Sequence, residues 1–181
     1  GSGGVGTFAI QLAKYLGAEV ATTASPKSFE MLQHLGADIL IDYKTQNFED
    51  ILKDYDLVLN TQDEETLLKS MKILKPGGKI ISISVVPDEQ FAVDSGVNWL
   101  VKFVIKMRSA KVIKEARKRQ VDYSFLLMHS SRKQLEEITS IIEERKIKPV
   151  IDKVFPFNET NEAMNYLESG RAKGKVLVKI R

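Results

Sequence analysis

The residues most able to do chemistry are the first six. Gly1-Ser2-Gly3-Gly4-Val5-Gly6 satisfies the pattern G-x-G-x-x-G and runs straight into residues of helical periodicity. In such a turn the first glycine permits a tight reversal. The second lets a pyrophosphate approach the backbone, and the third lets helix and strand pack closely. The helix that follows offers free N–H groups and the positive end of its dipole to phosphate oxygens. The pattern is common by itself, so its context matters. Here it opens an amphipathic segment, and a strand-like run, Glu19 to Thr23, comes next. The fingerprint also calls for a strand before the turn. The expectation is therefore a fragment truncated before its first strand.

A dinucleotide site distinguishes its two common cofactors at the end of the second strand, about 20 residues after the turn. A site for NAD carries Asp or Glu there, to hold the ribose hydroxyls. This chain reads Thr22-Thr23-Ala24-Ser25-Pro26-Lys27, with no carboxylate. Ser25 can donate a hydrogen bond and Lys27 supplies a positive charge, both suited to a 2′-phosphate. Tyr43, just past the third strand-like run, can reach the same end of a nucleotide. The expected cofactor is NADP(H). Ser25 is also expected to cap the next helix, with Pro26 at its first position.

These residues need a scaffold, and the pattern supplies one. Short β-branched runs alternate with helical runs along the chain: strands near 39–41, 56–60, 79–84, 121–128, 150–155 and 175–180, and helices near 64–74, 97–119, 132–145 and 159–169. In the first helix Val5, Phe8, Ala9, Leu12, Ala13 and Leu16 fall at helical spacing, and Gly17 stops it. Pro76-Gly77-Gly78 reads as a turn into a strand. Such alternation implies βαβ units, hence an α/β fold with a doubly wound parallel sheet of the Rossmann type. The last two strands follow Pro149 and carry mixed patterns, so they are expected in a different layer.

Composition narrows the classes further. The 181 residues suit one globular domain rather than two, and the net charge of +3 names no partner. No apolar run reaches the length of roughly 18 residues that a membrane span needs. There is no Cys, which excludes disulfides and thiolate metal sites and fits a cytoplasmic location. His34 and His129 have no second His at ligand spacing, and no metal is expected. Asp42, Asp63 and Asp88 are isolated and read as turn or surface residues. The stretch from Lys102 to Arg119 carries eight basic residues against Glu115 alone. It reads as a solvated helix face with an apolar side of Trp99, Leu100, Phe103, Val104 and Met107, not as a nucleic-acid surface, because no aromatic stacking platform accompanies it.

Several segments together, GSGGVGTFAIQLAKYLGAEV, LGADILIDY, ILKPGGKIISI, KIKPVIDKVFPF and ESGRAKGKVLVKI, resemble the medium-chain dehydrogenase/reductase superfamily. Within it they are most similar to the zinc-free quinone oxidoreductase branch. The resemblance runs from Gly1 to the C-terminus. It implies a dinucleotide-binding domain over 1–148 and a return segment over 149–181 that belongs with a GroES-like catalytic domain outside this chain. It implies cofactor contacts from Ser2, Gly3, Gly4 and Val5 at the pyrophosphate, and from Ser25, Lys27 and Tyr43 at the 2′-phosphate. Asn60, Thr61, Ser84 and Val85 would lie beside the riboses, and Phe125 and Leu126 beside the nicotinamide carboxamide. It implies hydride transfer from NADPH to a quinone or an activated alkene, and a homodimer joined through edge strands, with 121–128 the candidate edge. No catalytic residue is assigned in this chain, and the fragment alone is expected to be inactive. Two other readings stay open. LKPGGKI also occurs in S-adenosylmethionine-dependent methyltransferases, although those carry an acid at the end of the second strand. A dinucleotide-binding or dimerisation module without catalysis is the other.

Overall fold

A computed structural model of the chain describes residues 1–84, 87, 91, 93 and 96–181. The chain divides into two compact units, 1–48 with 131–181, and 49–130.

The first unit opens with α1 (Gly6–Tyr15), which ends where Gly17 takes a φ of +83°. That left-handed position costs a glycine little and is a common helix stop. Next come β1 (Ala21–Ala24), a single 3₁₀ turn (Pro26–Ser28) and α2 (Phe29–His34). The strand β2 (Ile39–Asp42) pairs with β1 in parallel, so β1-α2-β2 is one crossover unit. Ile10, Ala24, Leu32 and Ala37 form its buried core, with Val20, Phe29 and Leu40 packed around them. At the start of a short α3 (Phe48–Ile51) the chain leaves this unit, and it returns as α6 (Arg132–Glu143), β6 (Ile151–Pro156), α7 (Thr160–Glu168) and β7 (Lys175–Lys179). β6 and β7 pair in parallel as a two-stranded sheet of their own. Among the described residues they share no ladder with β1-β2.

The second unit is β3 (Tyr55–Asn60), α4 (Glu64–Ser70), β4 (Leu74–Ser82), α5 (Trp99–Arg119) and β5 (Asp122–Phe125), with parallel strand order β3-β4-β5. Its core is Leu67, Met71, Leu74, Ile80, Val112, Ala116 and Val121. Asp63 and Asn98 cap α4 and α5 by accepting from the amides of Thr66 (2.8 Å) and Val101 (3.0 Å).

Four expectations need correction. The face of α1 that packs inward is Thr7, Ile10 and Gln11, while Val5, Leu12 and Leu16 are exposed. The helix is seated by Ile10 in the apolar core and by hydrogen bonds from Thr7 and Gln11, as described below. α5 is likewise seated through Ser109, Val112 and Ala116, and its apolar set from Trp99 to Met107 faces outward. The strand β4 begins at Leu74, before the Pro76-Gly77-Gly78 turn. Those residues bulge out of the ladder between the pairs Tyr55–Leu74 and Leu57–Lys79, and Gly77 donates to the Gln120 carbonyl at 2.7 Å. The strand β5 stops at Phe125, and Leu126, Leu127 and Met128 continue as exposed irregular chain.

Candidate functional site

In open parallel sheets, ligands bind beyond the carboxyl ends of the strands. The residues expected to bind cofactor lie at such ends or at the glycine turn. Ser25 follows β1, Tyr43 follows β2, Asn60 ends β3 with Thr61 after it, Ser84 stands just past β4, and Phe125 ends β5 with Leu126 after it. Val85 lies outside the described residues, as does Asp88.

The glycine turn belongs to the first unit. The Gly3 carbonyl accepts from the Thr7 amide at 3.0 Å and from the Thr7 hydroxyl at 3.1 Å, which winds the turn into α1. The amides of Gly3, Gly4, Val5 and Gly6 donate to no group among the described residues. They are the orphan donors every helix N-terminus carries. A methyl group on Gly3 would meet nothing within 4 Å, so the turn is open there. A Cβ on Gly6 would run into the Gly1 carbonyl, and one on Gly4 would lie 3.2 Å from the Gly174 carbonyl. The turn therefore combines uncommitted donors, an open approach at Gly3 and a Gly6 with no room for a side chain. That arrangement suits the pyrophosphate of a dinucleotide.

The turn after β1 holds Ser25 and Lys27. Ser25 occupies the N-cap position with Pro26 behind it, but its side chain makes no capping bond. The expected second role for this hydroxyl is thus not used, which leaves it available to a ligand. Lys27 is exposed and has no carboxylate partner among the described residues, and Tyr43 is 60% exposed. The acids that flank β2 are committed elsewhere, Asp38 at the far end of the β1-β2 ladder and Asp42 at the end beside Ser25. Asp38 takes the Lys14 ammonium (2.8 Å) and the Val20 amide (2.7 Å), and these hold its carboxyl below the usual range. Asp42 accepts from the Lys44 amide and the Thr45 hydroxyl, which makes it a turn former.

Two lysines that the sequence pattern did not single out lie beside these turns. Lys173 Nζ donates to the Lys27 carbonyl at 3.1 Å. The Lys175 side chain passes 3.2 Å from where a Gly4 Cβ would be, and its ammonium lies 5.7 Å from the Phe8 ring centroid. Gln11 was also missed. Its amide donates to the Lys148 carbonyl and accepts from the Lys148 amide, both at 2.9 Å. No local spacing signals these contacts, because the partners are more than a hundred positions apart.

In the second unit the strand ends form a polar cluster. Asn60 is 3% exposed, and its side chain bonds the backbone of Gln62 in both directions. The Ser84 hydroxyl donates to the Gln62 carbonyl at 2.6 Å. Thr61 is half-buried beside them, and the Leu126 amide donates to the Ser82 carbonyl at 2.8 Å. The Phe125 ring meets Phe91 edge to face, with centroids 5.3 Å apart. Asn60 and Ser84 thus fix the loop after β3 to the end of β4. Neither has the proton-transfer partner that would make it an acid or base among the described residues.

The histidines are structural or exposed. His34 Nδ1 lies 2.8 Å from the Glu30 carbonyl, one helical turn back, and His129 is solvent-exposed. Among the described residues no group of three or more His, Asp or Glu could hold a metal ion.

Comparison with known proteins places the chain among dehydrogenases and reductases. Residues 35–178 match a protein family described as zinc-binding dehydrogenase. The zinc of that description finds no donor set among the described residues, and the chain has no Cys. The mitochondrial NAD(P)H oxidoreductase RTN4IP1 of Danio rerio is 34% identical over 186 residues, which is 99% of this chain and 47% of that protein. The chloroplastic NADPH-dependent alkenal/one oxidoreductase of Arabidopsis thaliana is 33% identical over 98% of this chain and 38% of its own length. Among solved structures, the quinone oxidoreductase from Coxiella burnetii superposes with a TM-score of 0.81 at 28% identity, covering 99% of this chain and 50% of that one. The chain spans about half the length of the relatives it matches.

Proposed function

Because the chain belongs to the medium-chain dehydrogenase/reductase superfamily, we propose that it is the cofactor-binding half of an NADPH-dependent oxidoreductase that reduces quinones or activated alkenes. The observation that carries this is the glycine turn, whose four orphan amides stand at the head of α1 with no internal partner. In this reading Ser2, Gly3, Gly4 and Val5 bind the pyrophosphate through backbone donors. Ser25, Lys27 and Tyr43 bind the 2′-phosphate. Asn60, Thr61, Ser84 and Val85 line the ribose side, and Phe125 with Leu126 positions the nicotinamide. The cofactor supplies the hydride, and the residues of this chain supply place and orientation. The choice of NADPH rests on the absence of a carboxylate after β1 and on the names of relatives that take NADPH. The quinone or alkene class rests on relatives alone.

The test is a fluorescence titration of the purified chain with NADPH and with NADH. NADPH is expected to bind at least about tenfold more tightly, the scale of one charge-assisted hydrogen bond to a phosphate. Lys27→Ala should narrow that gap. Equal affinities would remove the NADPH assignment. Binding of S-adenosylmethionine but of neither nucleotide would replace the reading with that of a methyltransferase-like domain.

A further inference from the structure

We propose that Lys173 is a second cation for the 2′-phosphate, so that the C-terminal segment helps to set cofactor preference. The inference rests on the cofactor reading above and adds to it a residue 146 positions from Lys27.

Lys173 is held at both ends. Its amide donates to Asp152 Oδ2 at 3.1 Å, and the same oxygen accepts from the Tyr166 hydroxyl at 2.7 Å. Asp152 sits in β6 and Tyr166 in α7, so the backbone of Lys173 is fixed by two elements. Its ammonium is fixed separately by the Lys27 carbonyl at 3.1 Å. The next residue, Gly174, has a φ of +112°, and a Cβ there would lie 2.5 Å from the Val150 carbonyl. A close approach in that conformation is open to glycine alone, so the path of the segment past the turn is defined.

The charge arrangement points to a ligand. An ammonium has three donors, and the Lys27 carbonyl takes one of those on Lys173. No carboxylate pairs with Lys173 or with Lys27 among the described residues. Asp152 Oδ2 accepts from the Lys173 amide and the Tyr166 hydroxyl, not from the Lys173 ammonium. The Lys27 carbonyl holds the Lys173 ammonium at the turn that also carries the Lys27 side chain, and a dianionic phosphate bound there would attract both cations.

The experiment measures dissociation constants of NADPH, NADH, 2′,5′-ADP and 5′-AMP for the unaltered chain and for Lys173→Met and Lys173→Arg. Thermal unfolding of each variant is run alongside to show that it is folded. The expectation is that Lys173→Met weakens NADPH and 2′,5′-ADP by about tenfold and leaves NADH and 5′-AMP within about twofold. Lys173→Arg should keep most of the preference. The salt dependence of NADPH binding should also flatten in Lys173→Met, since one phosphate contact is lost. If Lys173→Met weakens all four ligands alike, the lysine holds the fold and the proposal is overturned. Unchanged binding of NADPH by Lys173→Met overturns it as well, while the cofactor reading stands. If the unaltered chain binds neither NADPH nor NADH, the cofactor reading fails first and takes the proposal with it.

Discussion

Replacing Gln11 by Leu removes the amide that joins α1 to the segment leading into β6. Gln11 is 9% exposed, and its side chain meets both peptide groups of Lys148 at 2.9 Å, in the manner of one rung of a β-ladder. Its Nε2 also reaches the Thr7 carbonyl at 2.9 Å. Leu is close in size but offers no polar atom, so the Lys148 amide and carbonyl lose their partners. An unsatisfied buried group costs about 1–3 kcal/mol, and these two are part-buried, so the lower half of that range applies to each. The sum is about 2–4 kcal/mol, from which the added apolar burial of Leu subtracts up to about 1 kcal/mol. The net loss is about 1–4 kcal/mol, and for a chain of this length each kcal/mol lowers the melting temperature by roughly 2–4 °C, so the expected drop is about 2–16 °C. Circular dichroism melts of the purified chain read it directly. Gln11→Glu is the sharper variant. It keeps an acceptor for the Lys148 amide but turns a carboxylate oxygen toward two carbonyls, so it should fall further than Gln11→Leu at neutral pH and recover on acidification. A Leu variant that melts within a degree of the unaltered chain, or a Glu variant indifferent to pH, refutes the tether.

Two further outcomes follow from the same structure. Asp38 is held below its usual pKa by the Lys14 ammonium first and the Val20 amide second. A carboxyl with a depressed folded pKa stabilises above its unfolded value, about 3.9, and that contribution is lost as the pH falls through the folded value. Asp38→Asn should therefore melt slightly lower than the unaltered chain at pH 7, with the two curves converging at strongly acidic pH. A gap that persists there would mean that the amide-accepting geometry matters and the charge does not. Among the described residues the strand β5 pairs only with β4, and it is followed by exposed Leu126, Leu127 and Met128. An edge of this kind invites pairing with another copy. Light scattering should then give twice the 20.4 kDa chain mass, with Leu127→Asp shifting the species toward the monomer. A monomer for the unaltered chain at tens of micromolar would remove the dimer.

The sequence shows its elements better than it shows their orientation. The parallel pairs β1-β2 and β3-β4-β5 were legible because β-branched runs alternate with helical ones, and because Gly17 and Gly36 stop helices where a positive φ is needed. The glycine turn was legible because it needs residues without side chains. Ser25 and Lys27 were legible as an absence of acid where the pattern calls for one. The inward faces were not legible. Periodicity ranks faces by hydropathy, and α1 hides Thr7 and Gln11 while showing Leu12 and Leu16 to solvent. α5 likewise shows Trp99 at 78% exposure while it buries Ser109. Lys173 and Gln11 could not be found by spacing at all, since their partners arrive through the fold.

The face that α1 turns inward explains why this helix can carry phosphate donors. Thr7, Gln11 and Lys14 are spaced by four and three residues and so lie on one stripe. Thr7 closes the glycine turn, Gln11 grips Lys148, and Lys14 binds Asp38, which in turn caps the Val20 amide. An apolar stripe holds a helix against its neighbours but lets it slide or rotate by small amounts, because dispersion contacts carry little directional preference. Hydrogen bonds at 2.7–3.1 Å fix both rotation and translation. The orphan amides at the head of the helix act on phosphate oxygens only when they point to one place. Directional bonds down one side of α1 therefore serve the turn at its end, beside the single apolar anchor that Ile10 gives the helix in the core.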